Sequence, residues 1–146
     1  MTRSTGKTGR GVAFEISDGQ SPEGYVKLGN VTSISVSGRD ADEIDFTTLD
    51  SEGGFRDMRQ GFKDPGTISV ELHFDPTNPT HQDLLTKFLS GETFQWRINY
   101  SAVGWPKAEV GLGFVKNPGD RAHNVNDPIS GTATVRVSGG TAYVDL

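Results

Sequence analysis

Residues 39–74 read RDADEIDFTTLDSEGGFRDMRQGFKDPGTISVELHF. The end of this stretch, 67–74, alternates strictly. Ile68, Val70, Leu72 and Phe74 fall on one face of an extended chain, and Thr67, Ser69, Glu71 and His73 on the other. That is a strand with one face in a core and one in water. The beginning, 39–65, has no such period. It is polar, contains Gly53, Gly54 and Gly61, and is longer than an ordinary connection between strands. Insertions of that length in a compact domain are functional or disordered. Yet Ile44, Phe46, Leu49, Phe55, Met58 and Phe62 are spread along it, and a disordered linker has little use for large apolar groups. We read 39–65 as a long loop, an arm that folds against something outside its own domain, with another subunit as the simplest candidate. Pro65-Gly66 closes it as a turn.

Strand patterns continue on both sides. Residues 12–16 predict a short strand and 25–37 a longer one, rich in β-branched residues. After residue 74, the run DPTNP breaks the chain. Pro79 suits the first position of a helix, with Asn78 as N-cap, or Thr80 as an alternative cap with Asp83 three residues on. Leu84, Leu85, Phe88 and Leu89 fall on one stripe and Gly91 lies just past the end, so 79–90 is read as an amphipathic helix covering a sheet. Residues 93–100 alternate again, with Phe94, Trp96, Ile98 and Tyr100 opposite Thr93, Gln95, Arg97 and Asn99. In 108–116, Val110, Leu112 and Phe114 fall on one side and Gly111 and Gly113 on the other. Residues 117–120 (NPGD) predict a turn, 131–137 a strand, 138–140 a turn and 141–146 a final short strand. The pattern is mainly β: six or seven strands forming a sandwich or barrel-like subunit with one flanking helix.

Composition sets the outer bounds. The 146 residues fit a single domain, 1–146. Such a domain buries about 68–70% of its unfolded surface without needing a metal or a crosslink. There is no cysteine, which removes disulfides, thiolate zinc sites and cysteine nucleophiles. The balance of 14 basic and 19 acidic residues, −5 overall, argues against a general nucleic-acid binder but not against a surface that DNA passes without sticking. Apolar content is only 33%, so part of the burial is expected between chains. Residues 1–10 are basic and read as a flexible segment with no secretory apolar run behind them. No stretch approaches the roughly 20 apolar residues of a membrane span, so no membrane insertion is expected.

Signals for chemistry are weak. Gly6-Lys7-Thr8 lacks the earlier glycine and the preceding strand of a phosphate-binding loop. Asp40, Asp42, Glu43 and Asp45 lack the glycine and terminal glutamate of a calcium loop. His73, His81 and His123 have no metal-ligand spacing and read as surface residues. Glu71 has no partner that spacing selects for a glycosidase pair, and no Gly-x-Ser-x-Gly elbow occurs. No catalytic, cofactor or metal site is expected, and the protein is not read as an enzyme. Trp96 reads as core from its phase; Trp105 reads as a core cap or a contact residue.

Several pieces occur in a telling order: GNVT at 29–32, IDFTTLD at 44–50, FRDMRQGF at 55–62, DPGTISVE at 64–71, Asp75-Pro76, the helix with its 81–89 stripe, and the terminal strand from 130 to 139. Across roughly residues 25–140 this order resembles the major tail tube proteins of long, non-contractile-tailed bacteriophages and of gene transfer agents. The resemblance implies a β-sandwich subunit forming stacked hexameric rings. DNA would pass through the resulting tube without specific binding. It also implies a virion location after assembly in a bacterial cytoplasm, with tape-measure, tail-terminator and tail-tip proteins as partners.

On that reading the arm reaches the adjacent ring or subunit. Ile44, Phe46, Leu49, Phe55, Met58 and Phe62 are its anchors, and Arg56, Arg59 and Asp57 form rim ion pairs. The arm is expected to be disordered until assembly orders it. The expected channel wall is Ser69, Glu71 and His73, completed either by Ser33 and Ser35 or by Gln95 and Arg97; Arg97 fits only if it pairs with an acid or faces away. Leu84 and Phe88 are both expected to be core residues of the helix. The rival readings are a soluble sandwich binding carbohydrate or peptide through Trp105 and Tyr100, a hydrolase, and a secretion-system tube.

Overall fold

The computed structural model describes residues 6–18 and 24–146; the first half of the predicted N-terminal flexible segment lies outside the described residues. Its strands are β1 (Ala13–Ser17), β2 (Tyr25–Lys27), β3 (Val31–Ser37), β4 (Asp40–Asp45), β5 (Met58–Asp64), β6 (Thr67–His73), β7 (Phe94–Asn99), β8 (Lys107–Ala122) and β9 (Ser130–Asp145), with one helix, α1 (Pro79–Ser90). Seven strands form a single antiparallel sheet in the order β2-β1-β7-β8-β9-β6-β3, and β4 and β5 form a separate two-stranded sheet.

The large sheet folds over on itself. One half, β1 and β7, brings Phe14, Ile16, Trp96 and Ile98 against Ile68, Val70, Leu72, Ala133, Val135 and Val137 of β6 and β9. This is the single core, closed at one end by Leu28 and by Leu84 from α1. The expected sandwich with one flanking helix is therefore present.

The details differ instructively. The predicted strand over 25–37 is two strands, because Asn30 adopts a left-handed φ of 59° before β3. The predicted turn at 117–120 lies inside β8, whose pairing with β9 absorbs it through register shifts between Val115 and Asp120. The predicted turn at 138–140 lies inside β9, and Gly139, with φ 79°, lets one strand continue where two were expected.

In β8 the glycine side is the inner one. A Cβ at Gly111 would come within 2.9 Å of the Trp96 ring, and one at Gly113 within 2.6 Å of the Arg136 carbonyl oxygen. The indole occupies the room that the two glycines leave. Leu112 and Phe114 consequently point outward, and Leu112 is 50% exposed.

Helix α1 matches its predicted bounds. The Asn78 side chain accepts the Thr80 N–H at 3.0 Å, Pro79 takes the first turn, and Gly91 closes the helix with φ 69°. The stripe is narrower than expected. Leu84 is 2% exposed, whereas Phe88 is 41% exposed and Leu85 and Leu89 are also exposed. His81 is not a surface residue. It is buried and stacked on Phe74, its Nδ1 accepting the Asp75 N–H at 3.0 Å and its Nε2 donating to the Gly29 carbonyl at 2.7 Å. It ties the start of α1 to the turn before β3.

Candidate assembly surfaces

The arm is a hairpin, not a disordered loop. Asp40 pairs with Asp64, Ala41 with Lys63, Glu43 with Gln60, Ile44 with Arg59 and Asp45 with Met58, around one bulge. Beyond the strands the tip is held by local bonds: the Phe46 N–H donates to the Asp57 carbonyl at 2.8 Å, the Thr47 N–H to Asp45 at 2.8 Å, and the Asp57 N–H to the Thr47 hydroxyl at 2.8 Å. The turn bonds from Thr47, its hydroxyl first, hold the Asp45 carboxyl below the usual range. Bonds from and to Thr47 thus hold the tip beyond the end of the ladder, and since neither strand has a buried residue, no alternation shows in the sequence.

The expected anchors are all on this hairpin, and all are exposed. Leu49 is 106% and Phe62 90% exposed, with Ile44, Phe46, Phe55 and Met58 less so. Of the expected rim charges, Arg59 pairs with Asp57 at 3.2 Å and lies 4.4 Å from the centre of the Phe46 ring. Arg56 has no ion pair among the described residues. The hairpin packs extensively on no other element of its own subunit.

Its root, in contrast, is held from both sides. The chain leaves the large sheet at Gly38 (φ 75°) and returns at Gly66 (φ 88°), where a Cβ would sit 2.5 Å from the Ser37 carbonyl oxygen. On the core side, Arg39 donates to the Pro65 carbonyl at 3.1 Å and pairs with Glu109, which is 1% exposed. On the other side, Arg136 donates to the Gly66 carbonyl at 3.0 Å and to Asp64 at 2.9 Å. The Gly66 N–H, then Arg136, draw the Asp64 carboxyl below its ordinary range against the opposing effect of desolvation. Burial, then the Glu109 charge, pushes the nearby Tyr100 hydroxyl up. None of this clamp was anticipated from sequence. Glu109 sits in a run of small and apolar residues, and the only available signal was an acid in that run.

The expected wall residues are brought together. Ser33 lies opposite Glu71 and Ser35 opposite Ser69 across β3 and β6, and β9 adds Thr132, Thr134 and Arg136 beside Glu71, Ser69 and Thr67. His73 extends the row beside Ser130. The result is one continuous face coated mostly with hydroxyls. Gln95 and Arg97 do not belong to that row. They lie on β7, where Arg97 pairs with Glu15 and lies 4.2 Å from the centre of the Tyr25 ring.

β3 is the last strand of the sheet. At the other side of the same four strands, β7 pairs with β8 only over residues 108–113, so 114–122 bond to β9 alone. The unit β3-β6-β9-β8 therefore has two open margins. Among the described residues no acidic or histidine side chains converge as a metal would need, and no helix is long and apolar enough to cross a membrane. The aromatic trio Tyr100, Trp105 and Tyr143 forms a half-exposed cluster, but no buried polar group points to a ligand there.

Solved structures similar in fold include tails, tail tubes and a sheath–tube complex. The tail of an empty gene transfer agent particle, refined with C6 symmetry, superposes with a TM-score of 0.75 at 18% identity, covering 95% of this chain and 99% of that one. The tail tube of SPP1 gives 0.67 at 11% identity, covering 97% and 80%. The sheath–tube complex of an extracellular contractile injection system gives 0.65 at 11% identity, covering 99% and 100%. No curated protein matches. At the level of sequence, residues 7–145 match the family described as phage tail tube, TTP, lambda-like. The chain belongs to that lambda-like phage tail tube family, and it is a structural protein of the virion tail.

Proposed function

We propose that this subunit closes into hexameric rings that stack into the hollow tube through which DNA leaves the particle. The observation that carries the reading is the four-stranded unit with two unpaired margins. All its pairings are antiparallel, so β3 and the free part of β8 run in opposite directions. β3 of one copy can therefore continue the antiparallel order beside β8 of the next. Such a repeated, non-self-complementary contact closes into a ring, and closure removes the exposed edges. The gene transfer agent tail of the same fold has C6 symmetry. Six four-stranded units make about 24 strands. At a spacing of about 4.8 Å and a tilt of about 40° they close at a backbone diameter of about 48 Å, wider than a DNA duplex.

In this tube Ser33, Ser35, Ser69, Glu71 and His73 line the channel. A wall mostly of hydroxyls and carboxylates, on which Arg136 is paired with Asp64, gives the phosphate backbone little to hold it. The arm links copies, through Phe46, Leu49, Phe55 and Phe62 above all. A tape-measure protein inside the growing tube, and terminator and tip proteins at its ends, are the partners this role requires. The role is structural and needs no catalytic group.

Electron microscopy of the purified, concentrated protein tests the reading. Rings or tubes with a central channel are expected. A chain that stays monomeric under every condition overturns it. A variant lacking residues 42–63 is expected to lose normal stacking; normal tubes from it would remove the arm from the mechanism.

A further inference from the structure

A groove of about 650 Å³ separates the margin of β3 from residues 9–12. It is where the folded-over sheet fails to close. Its walls are Val12 and the core-side residues Val31, Ile34 and Val36 of β3, and Ile98 and Tyr100 line it further. Thr32 and Ser33 line it as well, so the groove runs along the edge of β3 with its apolar side on the core face. At its mouth, Arg10 is exposed and has no ion pair among the described residues, Lys7 is exposed nearby, and no acid precedes Glu15 in the sequence.

We propose that this groove receives the arm of a neighbouring copy. Phe46 and Leu49 would lie against Val12 and Ile34, with Asp45 and Asp50 facing Arg10. The assignment rests on the reading of the arm as a contact between copies, and it names the surface the arm meets. Three observations support it. The hairpin packs extensively on no other element of its own subunit, and its root is clamped, so among the described residues neither arm nor groove has an extensive partner. Between residues 40 and 64 the arm carries eight acidic and three basic side chains, opposite in sign to the groove mouth. The segment DFTTLD sets two exposed apolar groups between two acids, which matches an apolar groove with a cationic rim.

The chain contains no cysteine, so engineered thiols report without background. Tubes of the Val12→Cys/Leu49→Cys variant, mildly oxidised and run on a denaturing gel without reductant, are expected to give a ladder of dimers and higher species. Tubes of a Leu89→Cys/Leu49→Cys control are expected to stay monomeric. In parallel, Arg10→Glu, an exposed change that does not threaten the fold, is expected to raise the concentration needed for assembly about two- to fivefold at low salt, with less effect at high salt. Adding Asp50→Arg is expected to restore it. Normal tubes without the Val12–Leu49 ladder, or a crosslink formed within one chain, overturn the groove assignment and leave the tube reading standing. Failure of the unmodified chain to assemble at all overturns the tube reading itself.

Discussion

Glu109 is 1% exposed, and its ion-pair partner among the described residues, Arg39, belongs to the root of the arm. The two partners are unequal in a way that can be measured. Arg39→Ala would leave a buried carboxylate without its counter-charge, which costs about 3–5 kcal/mol. Glu109→Gln would leave a guanidinium already 35% exposed that can turn to water, so a smaller loss is expected. Urea denaturation of the two variants checks the order; equal losses would mean that Arg39 does not neutralise Glu109. Asp64 makes the opposite side of the root sensitive to acid. Its carboxyl is held low by the Gly66 N–H and then by Arg136, so its contribution is complete above the ordinary aspartate range and is lost as pH falls through the lowered folded value. Amide protection at Gly66 is therefore expected to be unchanged from neutral pH down into the ordinary aspartate range and to fall below it. Asp45 at the arm tip and Asp75 before α1, both held low by threonine bonds, should behave alike. NMR titration of the three carboxyls reads this directly.

Elements differ in how openly the sequence declares them, and the reason lies in what holds each together. β6, β7 and α1 are held by burying a periodic set of side chains, so their alternation, cap and terminal glycine suffice to place them. The arm strands have no buried residue and are held by their own ladder, with threonine and aspartate bonds at the tip, so β4 and β5 carry no burial period to read. β8 misleads for a third reason. The apolar side Val110-Leu112-Phe114 suggests the core, but the large neighbour Trp96 needs the glycine side. His81 and the Glu109 clamp depend on contacts distant in sequence, which no local pattern contains. These distinctions predict unequal effects along α1. Leu84→Ala is expected to cost about 2–5 kcal/mol, as loss of a buried side chain does, whereas Phe88→Ala should cost the isolated subunit below about 1.5 kcal/mol because much of the ring is already in water. Gly113→Ala, which sets a Cβ against the Arg136 carbonyl, is expected to cost about 1–3 kcal/mol. Thermal unfolding of the monomeric subunit ranks all three.

A ring of copies repeats each channel residue around its axis, so a single substitution changes the wall at every subunit. Along the proposed wall, the cation Arg136 is paired with Asp64, and Ser33, Ser35, Ser69, Thr132 and Thr134 are neutral. Glu71 is an exposed carboxylate in the middle of that face, with Ser33 on one side and Thr132 on the other, and the exposed Asp120 of β8 follows Thr132 in the same row. Together they make the wall negative there. Six glutamates would repel passing phosphates and six lysines would attract them, a swing of about twelve charges around one belt. The attraction is between solvent-exposed charges and is screened within about 10 Å at 0.1 M salt. Glu71→Lys should therefore leave subunit folding and tube geometry unchanged, slow DNA passage strongly at low ionic strength, and approach the unmodified rate as salt rises. Ejection kinetics from particles carrying each form, measured across a salt series, provide the readout. Matching rates at the lowest salt would place Glu71 away from the channel and, through its register with Ser33 and Ser69, move the whole hydroxyl face with it.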